Sequence, residues 1–522
     1  MKKIVEKVGL KKVISYSVLV LGLLLLILNN FINNNNVMAC VGLVLAIGSI
    51  FFIAIDFKEH GLIKFTLCFV LLATFLTWVI HSGYFSGTEI VDNGFKRVGL
   101  FDFATYGLLT MYYFAAFVTL IFVVNGFYSI LKKTNFYRSL VDKTVKLFKE
   151  RYIIFVLLSI FVYAALTAFT TQTLALLILV PFTLTVTYAL TNDKIISFVA
   201  SFGGILVGTI GSMYSEPVTA VLVKYYSISY VDNVVAKAIL FFSAYILLSL
   251  ITILYAKKKN ASKEEVTELI IVDKPKKNAT SSVASIITFV LLFVVALLAF
   301  IPWGSALGLD WATKFHSWID KATIFDSTVL KYILGTTTAF GTWDIFSLQA
   351  LVIFASVLVA IFNKIKVDEF IDSYASGISK SGKQVAQVCL VYFVVLITIM
   401  FPVLPMIFDW MMKIFASFSI TVAGIIMFIS SLFGVELQYA TQLSSTYLVA
   451  NASTNITAGN LAVLNQAIYG LSQFFVPTSV VLMLGLSYLD IKYKEWFKFI
   501  WKFLLAMLFV IIVLIVIIVF VI

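Results

Sequence analysis

Thr167-Ala168-Phe169-Thr170-Thr171-Gln172-Thr173 is a polar tip set between two apolar arms, 152–166 and 174–190. Each arm holds about 15–17 residues, against the roughly 20 that a helix needs to span a bilayer. Short arms around a polar tip predict a re-entrant hairpin that enters and leaves on one side. A second break follows inside the apolar run 195–226, at Gly208-Thr209-Ile210-Gly211-Ser212-Met213-Tyr214-Ser215-Glu216-Pro217. Pro217 lacks a backbone N–H and the glycines relax the chain, so a helix is expected to unwind there. Unwound backbone at membrane depth is tolerated only where protein covers it or it lines a wet cavity. A hairpin tip beside an interrupted helix is a way to build a midplane binding site.

The same order returns near the C-terminus. The tip there is Gly434-Val435-Glu436-Leu437-Gln438-Tyr439-Ala440-Thr441-Gln442-Leu443-Ser444-Ser445-Thr446, and the break is Gly470-Leu471-Ser472-Gln473-Phe474-Phe475-Val476-Pro477-Thr478-Ser479. Both tips carry aromatic-x-Thr-Gln, Phe169 to Gln172 and Tyr439 to Gln442. Tip, helix, then a glycine-opened break closed by proline and hydroxyls reads as an internal repeat. Placing the two hairpins on opposite sides makes the repeats inverted.

With 61% apolar and 12% charged residues and a mean hydropathy of +1.04, the chain reads as a polytopic membrane protein. The net charge of +12 comes from loop lysines that orient the chain. No RNA-binding signature accompanies it, so nucleic acid is not an expected partner. The three cysteines, Cys40, Cys68 and Cys389, have no paired spacing, and the three histidines are scattered, so no metal site is expected. No phosphate-binding glycine loop, Gly-x-Ser-x-Gly elbow or His-Glu-x-x-His pair is present, which argues against ATP drive and against an enzyme.

Basic residues 1–12 place the N-terminus in the cytoplasm of a plasma-membrane protein. The following run has no small-residue cleavage site, so it is expected to be an uncleaved anchor. Residues 1–61 form an extra helical pair. A first half, 62–256, holds the hairpin 152–190, opening to the cytoplasm, and the broken helix 195–226. The hydrophilic stretch 257–280 is a cytoplasmic linker. A second half, 281–522, holds the hairpin 420–450, opening outside, and the broken helix 460–487. Segment 132–151 alternates Lys and Arg with Phe136, Leu140, Val145 and Leu147 and reads as an amphipathic helix on the inner surface. The total is about eleven crossings of helical length plus two re-entrant hairpins, an all-α fold.

The candidate solute-binding residues are Thr170, Thr171, Gln172, Thr173, Ser212, Glu216, Thr441, Gln442, Ser444, Ser445, Thr478 and Ser479. Hydroxyls and amides give directional hydrogen bonds, and helix N-termini at the tips favour a carboxylate. Oxygen donors near Gly211, Ser212, Ser215 and Thr478 would suit Na⁺; a proton is the other coupling ion. No further cofactor is expected. Glu216 is the sharpest single residue, because a carboxylate in a broken spanning helix needs a partner. The bland alternative for the hydroxyls is helix capping; for Glu216 and Glu436 it is solvation.

Four stretches resemble the YfcC branch of the ion-transporter superfamily, relatives of aminobenzoyl-glutamate and four-carbon dicarboxylate carriers. They are Thr77-Trp78-Val79-Ile80 with Gly83-Tyr84-Phe85; Thr173-Leu174-Ala175 running to Val180-Pro181; Gly203-Gly204 running to Gly211-Ser212; and Val476-Pro477-Thr478-Ser479-Val480-Val481-Leu482-Met483 followed by Tyr493-Lys494-Glu495-Trp496-Phe497. The resemblance covers 62–522. It implies a homodimeric elevator carrier of carboxylate-bearing solutes, dicarboxylates and amino acids among them, with both hairpins in the moving domain. Where family members often carry acidic residues before Thr-Leu-Ala, this chain has Thr171-Gln172, and Ala440-Thr441-Gln442-Leu443-Ser444-Ser445 replaces a Ser-Gly-Ser-Gly-like run. Both departures bear on the solute and the coupling ion. The expectation is a secondary active transporter of a small carboxylate-bearing solute, an amino acid or organic acid, working in the lipid bilayer by ion coupling or exchange. The alternative is a non-transporting membrane scaffold or partner subunit, whose tips would pack dry.

Overall fold

The computed structural model describes residues 10–520 apart from 33–34, 171, 259–269, 277–281, 324–327, 336 and 416. Much of the linker 257–280 therefore lies outside the described residues. The chain is an all-α polytopic membrane protein. Among the described residues nine helices are long and apolar enough to cross a bilayer, or ten if Leu100–Tyr113 and Ala115–Leu131 make one interrupted span. The terminal helix Tyr493–Phe520 shows why lipid is its solvent. One face buries Trp496, Ile500, Phe503, Met507 and Ile511 in protein, while the other exposes Trp501, Leu505, Phe509, Ile512 and Val516. A helix apolar all round, with half of it bare, is stable only against hydrocarbon.

The span count differs from the eleven expected for identifiable reasons. Run 195–226 is cut into Lys194–Phe198, a π-turn, Gly204–Ile210 and, past the break, Val221–Tyr226. Run 460–487 is cut into Ala458–Ser472 and Val480–Tyr488. Conversely, Tyr152–Phe169, expected as a short arm, belongs to the run Asn135–Phe169, which is long enough to cross.

Two compact units divide the chain, each assembled from separated segments. The first is Met1–Phe114, Val221–Ala236 and Ala386–Ile522; the second is Ala115–Ala220 and Lys237–Val385. Hairpin 420–450 lies in the first and hairpin 152–190 in the second.

In the first unit, helices Leu10–Leu28 and Asn36–Ala54 pack backbone to backbone. A Cβ at Gly22 would stand 2.8 Å from the Gly42 oxygen, and one at Gly42 equally close to the Gly22 oxygen. Without a hydrophobic drive between helices in lipid, such close approach is what holds a pair together. In the second unit, Asn135–Phe148 is amphipathic, but its buried face is Phe136, Tyr137 and Val141; of the other residues expected there, Leu140 and Val145 are half-buried and Leu147 is exposed.

The loop after Gly61–Val79 folds into a β-hairpin, Gly83–Ser86 paired antiparallel with Glu89–Asp92. Its turn uses Gly87 at φ +64°, a conformation that costs other residues strain. The His81 ring meets the Asp92 carboxylate at 2.7 Å, and the Gly94 N–H donates to the same carboxylate at 2.7 Å. Partial burial pulls the Asp92 carboxyl upward, but the His81 hydrogen bond and the Gly94 N–H hold it below its ordinary value. A carboxyl held low stabilises the fold above the ordinary carboxylate range, and that contribution is lost as pH falls through the folded value. Amide exchange in 83–92, corrected for intrinsic rates, should therefore hold steady from neutrality to about pH 4 and quicken below it. An unchanged protection at pH 2 would show that Asp92 does not tie the hairpin.

Candidate functional site

In the second unit, helix Tyr152–Phe169 runs through Thr167, so the first tip begins only at Thr170. Thr167 stays helical because its hydroxyl donates to the Tyr163 carbonyl at 2.8 Å, hiding its polarity one turn back. Past Gln172 the chain tightens into a 3₁₀ turn, Thr173–Ile178, and then helix Val180–Thr191 with Pro181 in its first turn.

The first break lies against this tip. The Ala168 carbonyl, freed at the helix end, accepts from the Met213 and Tyr214 N–H groups at 3.3 and 3.0 Å, and Phe169 stacks on Tyr214. One freed acceptor thus satisfies two freed donors, as backbone shielded from water requires. Gly208 sits on the Ala164 carbonyl and the Thr167 Cβ, and Gly211 on the backbone of Phe241; neither site has room for a Cβ.

Inside the break Ser212, Ser215 and Thr219 form a buried hydroxyl cluster. The Ser212 hydroxyl lies 2.5 Å from that of Ser215 and 3.0 Å from that of Thr219. Thr170 is buried, and its hydroxyl has no hydrogen-bond partner among the described residues. Gln172 and Thr173 are half-buried, and Thr171 lies outside the described residues. Glu216, expected to need a partner, is exposed at the start of the π-turn Glu216–Ala220.

A residue that the candidate set lacks stands nearby. Lys237 is 0% exposed, in the first turns of helix Val234–Lys258. Phe241, which presses on Gly211, is four residues further along the same face, about 6 Å away along the axis. A signal for it exists in the sequence: a lysine inside an apolar run is a functional candidate by default.

The second tip, in the first unit, folds as helices Ile420–Phe433, Leu437–Gln442 and Ser445–Ala450. Thr441 is fully buried; its Oγ1 accepts from Asn465 Nδ2 at 3.1 Å, and the same amide group donates to the Tyr226 hydroxyl at 3.0 Å. Ser444 donates to the Ala440 carbonyl at 3.2 Å. Ser445 is buried and Gln442 exposed. The second break, past Ser472, keeps its freed carbonyls inside the protein. Trp496 Nε1 donates to the Phe474 carbonyl at 2.7 Å, the Tyr493 hydroxyl to that of Phe475 at 2.7 Å, and the Thr66 hydroxyl to that of Pro477 at 3.3 Å. Thr478 donates to the Leu432 carbonyl at 2.9 Å, and Ser479 caps helix Val480–Tyr488 by accepting from the Leu482 N–H. Of these two hydroxyls, both expected as solute ligands, that of Thr478 fastens the break to the hairpin and that of Ser479 caps its own helix.

Glu436 opens this tip half-buried, with the Tyr392 hydroxyl donating to Oε1 at 2.8 Å. Tyr469 donates to the neighbouring Val435 carbonyl at 3.0 Å.

Residues 37–520 match the family described as DcuC, C4-dicarboxylate anaerobic carrier. A comparison with curated proteins found no match. Among solved structures the chain is similar to the Alcanivorax borkumensis YdaH transporter, at 13% identity and a TM-score of 0.38, over 88% of this chain and 98% of that one. It is also similar to Neisseria gonorrhoeae MtrF, of a class of antimetabolite efflux pumps, at 12% identity and a TM-score of 0.36, over 89% and 96%.

Proposed function

The chain belongs to the DcuC family of C4-dicarboxylate anaerobic carriers, and we propose that it moves a small carboxylate-bearing solute across the membrane by secondary active transport. C4-dicarboxylates are the first class to test, ahead of amino acids and other organic acids. We further propose that it belongs to the YfcC branch, works as an elevator-type homodimer, and holds its N-terminus in the cytoplasm.

The observation that carries the reading is the buried ammonium of Lys237 on the helix that packs against a break lined by the buried hydroxyls of Ser212, Ser215 and Thr219. An ion taken out of water is tolerated only when charge and hydrogen bonds compensate it. A solute carboxylate adds to both, and a compact ammonium on a flexible stem can follow it as the protein changes state. In this reading Lys237 attracts the carboxylate, and the tip amide of Gln172 and the hydroxyl of Thr170 orient it. Ser212 and Ser215 give oxygen donors suited to Na⁺ as coupling ion; a proton or a second solute are the other drives.

Gln172→Ala and Thr441→Ala should each reduce uptake of radiolabelled succinate into proteoliposomes by about tenfold or more, the loss of one or two hydrogen bonds to a charged ligand, with expression unchanged. Normal uptake in either variant would remove that residue from solute binding. Collapsing the Na⁺ gradient tests coupling, since flux that continues unaltered assigns the drive to protons or exchange.

A further inference from the structure

Helix Leu10–Leu28 is held by little protein. Of its 19 residues only Gly22 and Leu26 are buried, both at the seam with helix Asn36–Ala54. Nearer its N-terminal end the same pair leaves a groove of about 360 Å³ beside the seam, within the roughly 300–1,000 Å³ of small-molecule sites. Ser15, Gly48 and Ser49 line its less exposed part, and Ile14, Val44 and Phe52, each more than half exposed, form its rim. A Cβ at Gly48 would meet nothing within 4 Å, so the absent side chain leaves that space open. The two serine hydroxyls are already spent, donating to the Lys11 carbonyl at 3.1 Å and the Leu45 carbonyl at 2.6 Å. Apolar cavities stay dry, and an unfilled gap forfeits the contacts of its walls. On a helix pair set in lipid, a hydrocarbon chain is the natural filler.

The two ends of the groove differ. From Val18 to Lys11 it follows seven residues, about 10 Å along the helix axis, and it ends among charges. Asp56 lies there with the Lys11 Nζ 4.0 Å from Oδ2 and the Lys494 Nζ 3.9 Å from Oδ1. Lys12 lines a small recess with Asp56, and Ser15 borders both recess and groove. Lys12 makes no ion pair among the described residues. Three ammonium groups against one carboxylate leave two positive charges at the mouth of an apolar groove. All of these residues belong to the first unit. Basic pockets between membrane helices hold anionic headgroups, and this groove adds a place for the tail along the direction lipid chains take. We propose that the groove between helices Leu10–Leu28 and Asn36–Ala54 binds one acyl chain of an anionic phospholipid, whose phosphate is held by Lys11 and Lys12. The lipid comes from the leaflet that meets residues 10–12, and it fastens helix Leu10–Leu28 to its neighbour. The site is separate from the solute site and does not depend on the carrier reading.

The test titrates purified full-length protein, stripped of lipid in detergent, with phosphatidylglycerol or with phosphatidylcholine of the same chains. Thermal shift and native mass spectrometry give the readout. Phosphatidylglycerol should raise the melting temperature and bind at least about fivefold more tightly, the worth of one lysine near an anionic headgroup. Lys11→Gln combined with Lys12→Gln should bring it down to the level of phosphatidylcholine. Gly48→Leu, whose side chain fills the groove, should weaken both lipids while every lysine remains, and it decides the matter should the double variant melt early. Equal binding of the two lipids by the parent protein, or a preference that survives the double variant, overturns the site. So does lipid binding unchanged in Gly48→Leu, which would put the lipid elsewhere. Inorganic phosphate that raises the melting temperature as much as phosphatidylglycerol would leave an anion site without a chain and overturn it too. A dimer that Gly48→Leu turns into monomers, with lipid binding intact, would give the groove to a second copy of the chain instead.

Discussion

Lys237→Met should abolish solute uptake in protein that still folds. Methionine matches the length of the lysine stem without the charge, so it removes an ion that folding had to take out of water. The protein group that the ammonium engages loses its partner as well, so the melting temperature should fall. If the ammonium serves only to hold helix Val234–Lys258 in place, uptake will survive at temperatures where the variant is folded. If it receives the solute carboxylate, a charge-assisted contact in a water-poor setting is lost. Truncating one partner of such a pair costs about 2–5 kcal/mol, a loss in affinity of roughly thirtyfold or more. The decisive measurement is uptake and Tm on the same preparation. Uptake lost well below the variant's own Tm assigns Lys237 to the solute; uptake at the parent rate removes it from the site. Lys237→Arg should recover little, since a planar fork does not replace a compact ammonium in a fully enclosed space.

Part of this architecture is legible in the sequence and part is not. The polar tips and the breaks at Gly208–Pro217 and Gly470–Ser479 stand out because polar runs are costly in lipid and persist only where protein or a cavity receives them. Their extents are harder to read, because Thr167 can hide its hydroxyl on the Tyr163 carbonyl and Gly470 remains within helix Ala458–Ser472. Both are tertiary and local choices that hydropathy does not register. Lys237 resembles part of the loop before its helix, since Asp232 and Asn233 lie close by. The bonds that shape the second tip join residues far apart. Asn465 reaches Tyr226 across 239 positions and Tyr392 reaches Glu436 across 44, and one sequence carries no sign of such pairings. Sequence alone leaves Glu436 open to simple solvation for that reason: the Tyr392 hydroxyl that meets it comes from a separate helix. The β-hairpin at 83–92 is masked by its charged residues and reads as plain loop, although Gly87 marks its turn.

Gly211→Ala should be the most damaging single methyl in the second unit. The break needs a glycine there for space and not for backbone freedom, since its φ is −105°, which any residue adopts. The added Cβ would collide with the Cα, Cβ and N of Phe241. A side chain could rotate away, but backbone inside a 25-residue helix cannot. Either helix Val234–Lys258 shifts as a body, or the break rewinds and strains the bonds from Met213 and Tyr214 to the Ala168 carbonyl. Overpacking of this kind costs about 1–3 kcal/mol, or more where backbone must move. The same shift would carry Lys237 with it, so transport should fall even at temperatures where the protein remains folded. The control is Gly48→Ala, in helix Asn36–Ala54, where a Cβ meets nothing within 4 Å; it should be neutral or slightly stabilising, because alanine is the better helix former. Equal melting temperatures for the two variants would mean that the break and helix Val234–Lys258 do not touch at Gly211. The helix that carries Lys237 would then have no contact with the break, and Lys237 would lose its claim on the solute.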